Sequence, residues 1–331
     1  MERPPNTPEG VFFCQGDAKK GALPMRVARS MQELVGETPM LEITRFPVPV
    51  GVRLFAKLEY FNPGGSVKDR LGLELIADAE ARGQLQPGGT IIEPTAGNTG
   101  IGVALAAIGR GYRVIFCVPE KFSQEKQELM RALGAQVVNT PNDQGIMGAI
   151  ARAKELAAEI SGAFVPQQFA NPANPAAHYK STGPEIWQQL GGQVDVFVAG
   201  AGTGGTFTGV ARYLKEQNPQ LRACIVEPTG SVLRGGQPGP HRTEGIGVEA
   251  IYPTLDMSLV DEIYTVTDDD AFAMVKELST REGALVGSSS GAAFVAALAE
   301  AGRAAPGTRI VTIFPDSSER YLSKKIYQGG I

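Results

Sequence analysis

Lys68 is the side chain in this sequence that most directly suggests covalent chemistry. It lies in FNPGGSVKDRLG (61–72), where two glycines precede a predicted helix start near Asp69. The positive end of a helix lowers the pKa of a nearby amine, and a neutral amine can form a Schiff base. The segment alone also allows a solvated surface lysine, with Asp69 paired to Lys68 or to Arg70.

The loop EPTAGNTGIG (93–102) follows the apolar run TII and suits the binding of an anion. Thr95, Asn98 and Thr99 place polar side chains at a predicted helix start, where backbone N–H groups lack partners within the helix. We expect a carboxylate or a phosphate as the ligand. An ordinary strand-to-helix turn with an asparagine cap is the alternative.

A glycine-rich loop, AGAGTGGTFTG (199–209), follows the apolar run VDVFV. Its two adjacent glycines are flanked by Thr203 and Thr206, which predicts a backbone cup for a phosphate, closed by two hydroxyl groups. The serine-rich segment GSSSGAA (287–293) similarly opens an apolar helical run, for which a serine N-cap is the simpler explanation.

The loop at 199–209 has a competing interpretation. Gly200, Gly202 and Gly205 match the pattern G-x-G-x-x-G, and Glu227 ends the next predicted strand 22 residues after Gly205. That spacing suits the acid that binds a ribose in a dinucleotide-binding fold. A nicotinamide- or flavin-dependent oxidoreductase is therefore an alternative function.

The elements that must position these loops alternate between strand and helix. Apolar runs predict strands at 90–94, 113–119, 135–140, 194–200, 224–228 and 309–316, and helical periodicity predicts helices from Asn98 and over 123–134, 146–160, 206–217 and 268–278. The Val- and Ile-rich strands indicate an α/β fold with parallel sheets covered on both faces. Ligands of such sheets bind beyond the carboxyl ends of the strands, which is where the loops lie.

Composition bounds the function further. The 331 residues predict about two domains, and 43% of them are hydrophobic. A net charge of −4 gives no reason to expect nucleic acid, and no apolar run reaches the roughly 18 residues of a membrane span. Two histidines and three cysteines, with no CxxC or HExxH, predict no bound metal. An N-terminus without an apolar signal region predicts a cytoplasmic protein.

Five ordered motifs resemble the cysteine synthase and cystathionine β-synthase family of pyridoxal-phosphate enzymes, fold type II, and its short bacterial O-acetylserine-dependent members. The motifs are NPGGSVKDR, EPTAGNTG, GAGTGGT, GIGVE (245–249) and PDSSERYLSKK (315–325). The resemblance runs from about Ser30 to Tyr327. It implies that the loop at 199–209 binds the phosphate of this cofactor, which argues against the dinucleotide interpretation.

The resemblance also implies an architecture. We expect two three-layer αβα domains with mostly parallel twisted sheets and a site in the cleft between them. The expected boundaries are an irregular segment at 1–30, a larger cofactor-phosphate domain at 31–61 and 175–331, and a smaller mobile domain at 62–174 that carries the substrate loop. A homodimer is expected by resemblance. The resemblance also allows a complex with serine acetyltransferase, but no residue of this sequence predicts it.

Residue roles follow from the matched motifs. Lys68 would hold pyridoxal phosphate through a Schiff base and later take the α-proton of the substrate. Asn98 would bind the cofactor 3′-hydroxyl, and Ser289 would face its pyridine nitrogen. The phosphate would be bound by Gly202, Thr203, Gly204, Gly205 and Thr206. The substrate would be bound by Thr95, Ala96, Gly97, Asn98, Thr99, Gln168, Gly245 and Glu249.

The implied reaction is β-replacement on O-acetylserine, or serine, by a sulfur nucleophile through a bound aminoacrylate. Sulfide would give cysteine, and homocysteine would give cystathionine. A serine or threonine dehydratase with the same lysine and phosphate loop is an alternative, although Gln168 and NPANP favour the synthase branch.

One position departs from the commonest family pattern, and another bears on which sulfur nucleophile is used. Ala96 stands where many members have serine, which removes one hydroxyl group from the substrate loop. The segments EGIGVE and PDSSERY are nearer to the cystathionine β-synthase side of the family. Glu249 is accordingly predicted to meet the amino group of homocysteine.

Overall fold

The computed structural model describes residues 27–95, 97–120 and 122–329. Most of the segment predicted to be irregular, 1–30, lies outside the described residues, and so does Ala96 of the substrate loop.

Ten strands lie in the described part of the chain. They are β1 (Met40–Ile43), β2 (Arg53–Leu58), β3 (Thr90–Pro94), β4 (Arg113–Pro119), β5 (Gln136–Thr140), β6 (Ala163–Phe164), β7 (Val196–Gly200), β8 (Arg222–Pro228), β9 (Glu262–Val266) and β10 (Arg309–Phe314). All six predicted strands are present, whereas β1, β2, β6 and β9 were not predicted.

The same part of the chain holds nine α-helices. They are α1 (Lys68–Ala81), α2 (Asn98–Ala107), α3 (Gln124–Ala132), α4 (Gly145–Glu159), α5 (Ala173–Ala177), α6 (Gly183–Gln189), α7 (Gly205–Gln217), α8 (Asp268–Glu282) and α9 (Ser288–Arg303). One turn of π-helix, His178–Thr182, joins α5 to α6. The ends of α8 follow ordinary capping chemistry: Thr267 accepts a hydrogen bond from Asp270 N–H, and Gly283 ends the helix in the left-handed conformation.

The strands form two sheets. The larger has the order β1-β2-β10-β7-β8-β9, and only its β1–β2 pair is antiparallel. The smaller has the order β5-β4-β3-β6 and is parallel throughout. The expectation of an α/β fold with mostly parallel sheets is confirmed.

Each sheet is covered by helices on both faces. In the larger sheet, α8 and α9 pack on one face and α6 and α7 on the other, for example through Phe294 and Phe207. In the smaller sheet, α1, α2 and α3 pack on one face and α4 on the other, through residues such as Leu75 and Ala149. Both units are therefore three-layer αβα structures. The predicted boundary residues of the domains stay a prediction.

Candidate active site

Four helices direct their N-terminal ends at one cavity. Its lining includes Lys68, Asn98, Thr206 and Ser289, which are the first or second residues of α1, α2, α7 and α9. Residues at the carboxyl ends of β7 and β10 complete its wall. Unpaired N–H groups and aligned peptide dipoles at helix N-termini favour a negatively charged ligand. The fold thus brings the lysine, asparagine, phosphate-loop and serine segments together.

Lys68 opens α1 with its side chain in this cavity. Burial lowers the pKa of its amine to about 8, so that part of the population is neutral near physiological pH. The alternative in which Asp69 pairs with Lys68 or Arg70 is wrong. Asp69 accepts a hydrogen bond from Gly64 N–H. Arg70 instead binds Glu59, with 2.7 Å between Nε and Oε2.

A close crossing of α1 and α2 sets the position of Lys68 relative to Asn98. A Cβ atom on Gly72 would lie 2.3 Å from the carbonyl carbon and oxygen of Gly102. A Cβ on Gly102 would lie 2.3 Å from the carbonyl oxygen of Lys68. The two backbones are therefore in direct contact, and only glycine fits at either position.

The glycine-rich loop forms the predicted cup at the start of α7. Gly204 is the N-cap, in the left-handed conformation with φ of 85°, and a Cβ on it would lie 2.4 Å from Leu255 Cβ. A Cβ on Gly202 would lie 2.4 Å from the carbonyl oxygen of Gly245, and one on Gly205 would lie 2.0 Å from Asn174 Oδ1. Every glycine of the cup is required by a close approach, which leaves backbone N–H groups accessible from the cavity.

Glu227 has no place in a dinucleotide site. It is 1% exposed, and its carboxylate accepts hydrogen bonds from Leu233 N–H at 2.8 Å, Arg234 N–H at 3.3 Å and the Thr265 hydroxyl at 3.0 Å. Because this carboxylate is committed to the loop that follows β8, it is not available to a ribose. The oxidoreductase alternative loses its acidic residue.

Two side chains of the α5–α6 segment hold the hydroxyl groups of the cup. Asn174 Nδ2 donates to Thr203 Oγ1 at 2.9 Å, and His178 Nε2 lies 3.1 Å from Thr206 Oγ1. Sequence reasoning missed both, because Asn174 and Thr203 are 29 positions apart and no local pattern links them. The signal that was present is the spacing of four residues between Asn174 and His178, which puts both on one face of a helix.

Asn98 is held by the segment after β10. Its Nδ2 donates to Asp316 Oδ2 at 2.6 Å, and Arg320 Nη1 donates to Asn98 Oδ1 at 2.5 Å. Asp316 also accepts a hydrogen bond from the Tyr321 hydroxyl, and its other oxygen is buried without a partner. Burial raises the pKa of Tyr321 well above its usual value, so its hydroxyl stays protonated. None of these three supporting residues was predicted to act at the site.

The substrate loop lines a second cavity, continuous with the first through Lys68. Thr95, Gly97, Asn98, Thr99 and Gln168 are all part of its wall. The Thr99 hydroxyl donates to Gln168 Oε1 at 2.8 Å, which fixes both side chains. The structure thus brings together the predicted carboxylate-binding residues that it describes.

Glu93 anchors this arrangement from behind. Its carboxylate accepts hydrogen bonds from the backbone N–H groups of Gln167 at 3.1 Å and Gln168 at 3.3 Å. Burial raises its pKa to about 7, because a charged carboxylate is poorly solvated there.

The opposite wall carries Gly245 and Glu249. Gly245 lies beside Ser289, since a Cβ on it would be 3.9 Å from Ser289 Oγ. Glu249 is exposed and lines the substrate cavity. The serine N-cap alternative for 287–293 is wrong: the N-cap of α9 is Gly287, and Ser288 Oγ accepts a hydrogen bond from Glu244 N–H at 3.0 Å.

An ion pair crosses between the two units beside the cavity. Lys126 of α3 is 3% exposed, and its Nζ lies 3.1 Å from Glu244 Oε2 and 4.2 Å from the centre of the Tyr321 ring. Lys324 binds the second oxygen of Glu244. The helix after β4 is therefore tied to the loop before Gly245, a contact that sequence reasoning missed.

Two other classes of site find no support in the described residues. No group of three or more His, Cys, Asp or Glu side chains there is placed to hold a metal ion. Burial raises the pKa of the Cys117 thiol to about 11, which makes it a poor nucleophile.

Among the described helices, none has the length and apolar character needed to cross a membrane.

Residues 31–316 match the family model described as pyridoxal-phosphate dependent enzyme. The chain belongs to this family. It is 57% identical to the O-acetylserine dependent cystathionine beta-synthase of Bacillus subtilis over 93% of this chain and 100% of that protein. It is 54% identical to a cysteine synthase of Helicobacter pylori over 92% and 100% of the two chains.

Solved structures agree with this placement. A crystal structure of an O-acetylserine dependent cystathionine beta-synthase from Helicobacter pylori superposes with a TM-score of 0.87 at 54% identity, covering 92% of this chain and 100% of that one. A cysteine synthase from Entamoeba histolytica superposes with a TM-score of 0.89 at 39% identity, covering 94% of each chain. The predicted fold type II architecture and family are confirmed.

The cavity suits pyridoxal phosphate. A half-buried lysine whose amine has a lowered pKa can form the Schiff base, and the glycine-rich start of α7 lines the same cavity with the donors that a phosphate needs. The hydroxyl of Ser289, which is 4% exposed, lines the same cavity. The individual contacts of Lys68, Asn98, Ser289 and the cup residues with the cofactor stay predictions.

Proposed function

We propose that this chain catalyses β-replacement on O-acetylserine, joining the amino-acid skeleton to a sulfur nucleophile. The observation that carries the proposal is that Lys68 lines the same cavity as Thr95, Thr99 and Gln168, the residues expected to bind the substrate carboxylate. A base and a carboxylate-binding loop are thereby close enough to contact the same small substrate. The Bacillus subtilis relative and the crystal structure from Helicobacter pylori described above carry this donor in their names.

Pyridoxal phosphate, when bound, supplies the electron sink for loss of the α-proton. Lys68 is the residue that takes this proton, because its amine has a pKa of about 8 and is therefore an effective base near neutral pH. Ser289 would face the ring nitrogen with a neutral hydroxyl group, which does not enforce protonation of that nitrogen.

The start of α2 binds the substrate carboxylate. Thr95 supplies a hydroxyl donor, and the first-turn N–H groups of the helix supply further donors. Gln168 holds the Thr99 side chain at 2.8 Å, and Glu93 holds the Gln168 backbone at 3.3 Å. The loop is thus prepared for the carboxylate before the substrate arrives, which reduces the ordering cost of binding.

Glu249 favours homocysteine over sulfide as the acceptor. It lines the substrate cavity with an exposed carboxylate, whose charge complements the ammonium group of an amino-acid thiol. Sulfide has no such group and gains nothing from this contact.

A competition assay tests the proposal. Holoenzyme, O-acetylserine and equal concentrations of sulfide and homocysteine are combined, and the products are read by mass spectrometry. Cystathionine as the main product supports the full proposal, and cysteine as the main product limits it to β-replacement without preference for homocysteine. Pyruvate alone would instead identify a dehydratase and overturn the proposal.

We further propose that the enzyme works as a homodimer in the cytoplasm, with residues 62–174 moving as the smaller domain. The two separate three-layer units support the idea of relative domain movement. Sedimentation analysis of the holoenzyme, with and without O-acetylserine, tests the dimer, and fractionation of the source cells tests the location.

A further inference from the structure

The segment that runs from α5 through the π-helical turn presents two polar side chains to the phosphate cup. Asn174 and His178 are four residues apart and lie on the same face, toward α7. One contacts the hydroxyl group of Thr203 and the other that of Thr206. The reaction described above assigns no role to either residue, and both are fully buried.

The hydrogen bonds of Asn174 have a fixed direction. Its Nδ2 lies 2.7 Å from the carbonyl oxygen of Gln168, which can only accept. This contact sets the orientation of the amide group, so Nδ2 is also the donor to Thr203 Oγ1 at 2.9 Å. Thr203 Oγ1 accepts a second bond from Gly205 N–H at 3.4 Å. The proton of the Thr203 hydroxyl is therefore free to point into the cavity.

The hydrogen bonds of His178 leave two arrangements. Burial, together with the charges of Lys68 and Arg70, lowers its pKa well below the usual value, so the ring is neutral and one nitrogen donates while the other accepts. Nδ1 lies 3.0 Å from Thr182 Oγ1 and Nε2 lies 3.1 Å from Thr206 Oγ1. Only a proton on Nε2 leaves the Thr206 hydroxyl proton free for the cavity.

Backbone contact holds the ring in place. A Cβ atom on Gly209 of α7 would lie 2.8 Å from His178 Cβ and 2.2 Å from the carbonyl oxygen of Pro175. The π-helical turn and α7 are thus packed without a side chain between them. The distance from the imidazole ring to the start of α7 is fixed by this contact.

We propose that His178 is a positioning residue: it carries its proton on Nε2, accepts from Thr182 on Nδ1 and, with Asn174, turns both threonine hydroxyls into donors toward the cofactor phosphate. A phosphate dianion has acceptor oxygens and no proton to give, so it needs donors on every side. With the other tautomer, Thr206 would donate to His178 and present only lone pairs to the phosphate.

Nitrogen NMR of the histidine side chains decides the tautomer. The chain has only two histidines, so ¹⁵N-histidine holoenzyme gives two ring systems. His241 is an internal reference of the opposite kind, because its Nδ1 lies 2.8 Å from the carbonyl oxygen of Thr243 and must carry a proton there. A His241→Gln variant assigns the two sets of signals.

The expected result is a neutral His178 with its proton on Nε2 in the holoenzyme. A proton on Nδ1 of His178, an even mixture of the two tautomers or a charged ring would each overturn the proposal.

Variants test the consequence for the cofactor. His178→Leu removes the donor to Thr206, whereas His178→Gln keeps an amide near the position of Nε2. We expect the leucine variant to release pyridoxal phosphate from the holoenzyme about fivefold faster, the factor that one net hydrogen bond contributes, and to shift its ³¹P signal. The glutamine variant should stay near the parent in both measurements. Unchanged release and an unchanged ³¹P signal in the leucine variant would contradict the proposal.

Thr182→Val and Thr182→Ser supply the same comparison one step further from the phosphate. Valine removes the donor to Nδ1 and should free His178 to change tautomer, whereas serine retains the hydroxyl and should preserve the parent spectrum. If His178→Leu fails to fold, this pair and the spectrum of the parent protein decide the question. A valine variant whose His178 keeps the parent tautomer unchanged would count against the proposed chain of hydrogen bonds from Thr182 through His178 to Thr206.

Discussion

Replacing Gly102 by alanine perturbs the contact that places Lys68. The new Cβ atom would lie 2.3 Å from the carbonyl oxygen of Lys68, whereas ordinary van der Waals contact begins at about 3.4 Å. Relief of this overlap requires α1 and α2 to separate by about 1 Å, because the obstructing atom belongs to the backbone and cannot rotate away. Lys68 is the first residue of α1, so it moves with the helix.

Two effects of known size follow. Overpacking of a close-packed core costs about 1–3 kcal/mol of unfolding free energy, and the better helix propensity of alanine returns up to about 1 kcal/mol. Displacement of a catalytic group by about 1 Å costs on the order of a hundredfold in rate. We therefore expect Gly102→Ala to lose up to about 2 kcal/mol of stability and about a hundredfold in kcat.

Gly302 provides a matched control. It lies in α9, and a Cβ atom there would have no heavy atom within 4 Å. Gly302→Ala should leave kcat unchanged and raise stability by up to about 1 kcal/mol. Urea unfolding of the two holoenzymes and steady-state kinetics on O-acetylserine measure both effects. A Gly102→Ala enzyme with parental kcat would refute the claim that this helix crossing positions Lys68.

Three further predictions follow from the site. Burial raises the pKa of Glu93 from 4.5 to about 7, so the protonated carboxyl group contributes stability below pH 4.5 that is lost as the pH rises through 7. Glu93→Gln should remove this dependence, which is measured as the urea midpoint of unfolding against pH. Glu249→Gln should raise KM for homocysteine about tenfold and leave KM for sulfide unchanged, as measured in separate acceptor titrations; equal changes for both would exclude a contact with the amino group. In a double-mutant cycle with Lys126→Met and Glu244→Gln, a coupling of about 1–2 kcal/mol in urea unfolding is expected for this partly buried pair, while a coupling near zero would show that Lys324 alone holds Glu244.

The sequence predicted those elements whose own residues carry the signal. RVIFCVP became β4 and CIVEP became part of β8, since central strands of parallel sheets are buried on both faces and are apolar throughout. Strand β9, EIYTV, lies at the edge of its sheet and keeps polar residues, so no continuous apolar run announced it. The short segments α5 and α6 with their π-helical turn lack a full amphipathic period.

The site divides in the same way. The groups expected to touch the cofactor lie in compact motifs, and the family resemblance located them. Their supports come from distant parts of the chain: Lys126 and Glu244 are separated by 118 positions, and Asn98 and Asp316 by 218. Such pairs are created by the order of strands in the two sheets. A single sequence contains no spacing rule that reveals them.

The convergence of four helix ends has a consequence for how the site tolerates change. Part of its attraction for anions resides in main-chain N–H groups, which substitution of a side chain by any residue other than proline leaves in place. Loss of Lys68 would remove the covalent bond and the base, but the cup at the start of α7 would still present its backbone donors. A descendant of this chain that had lost its chemistry would therefore keep a receptor for small phosphorylated or carboxylated molecules, ready to be given another use.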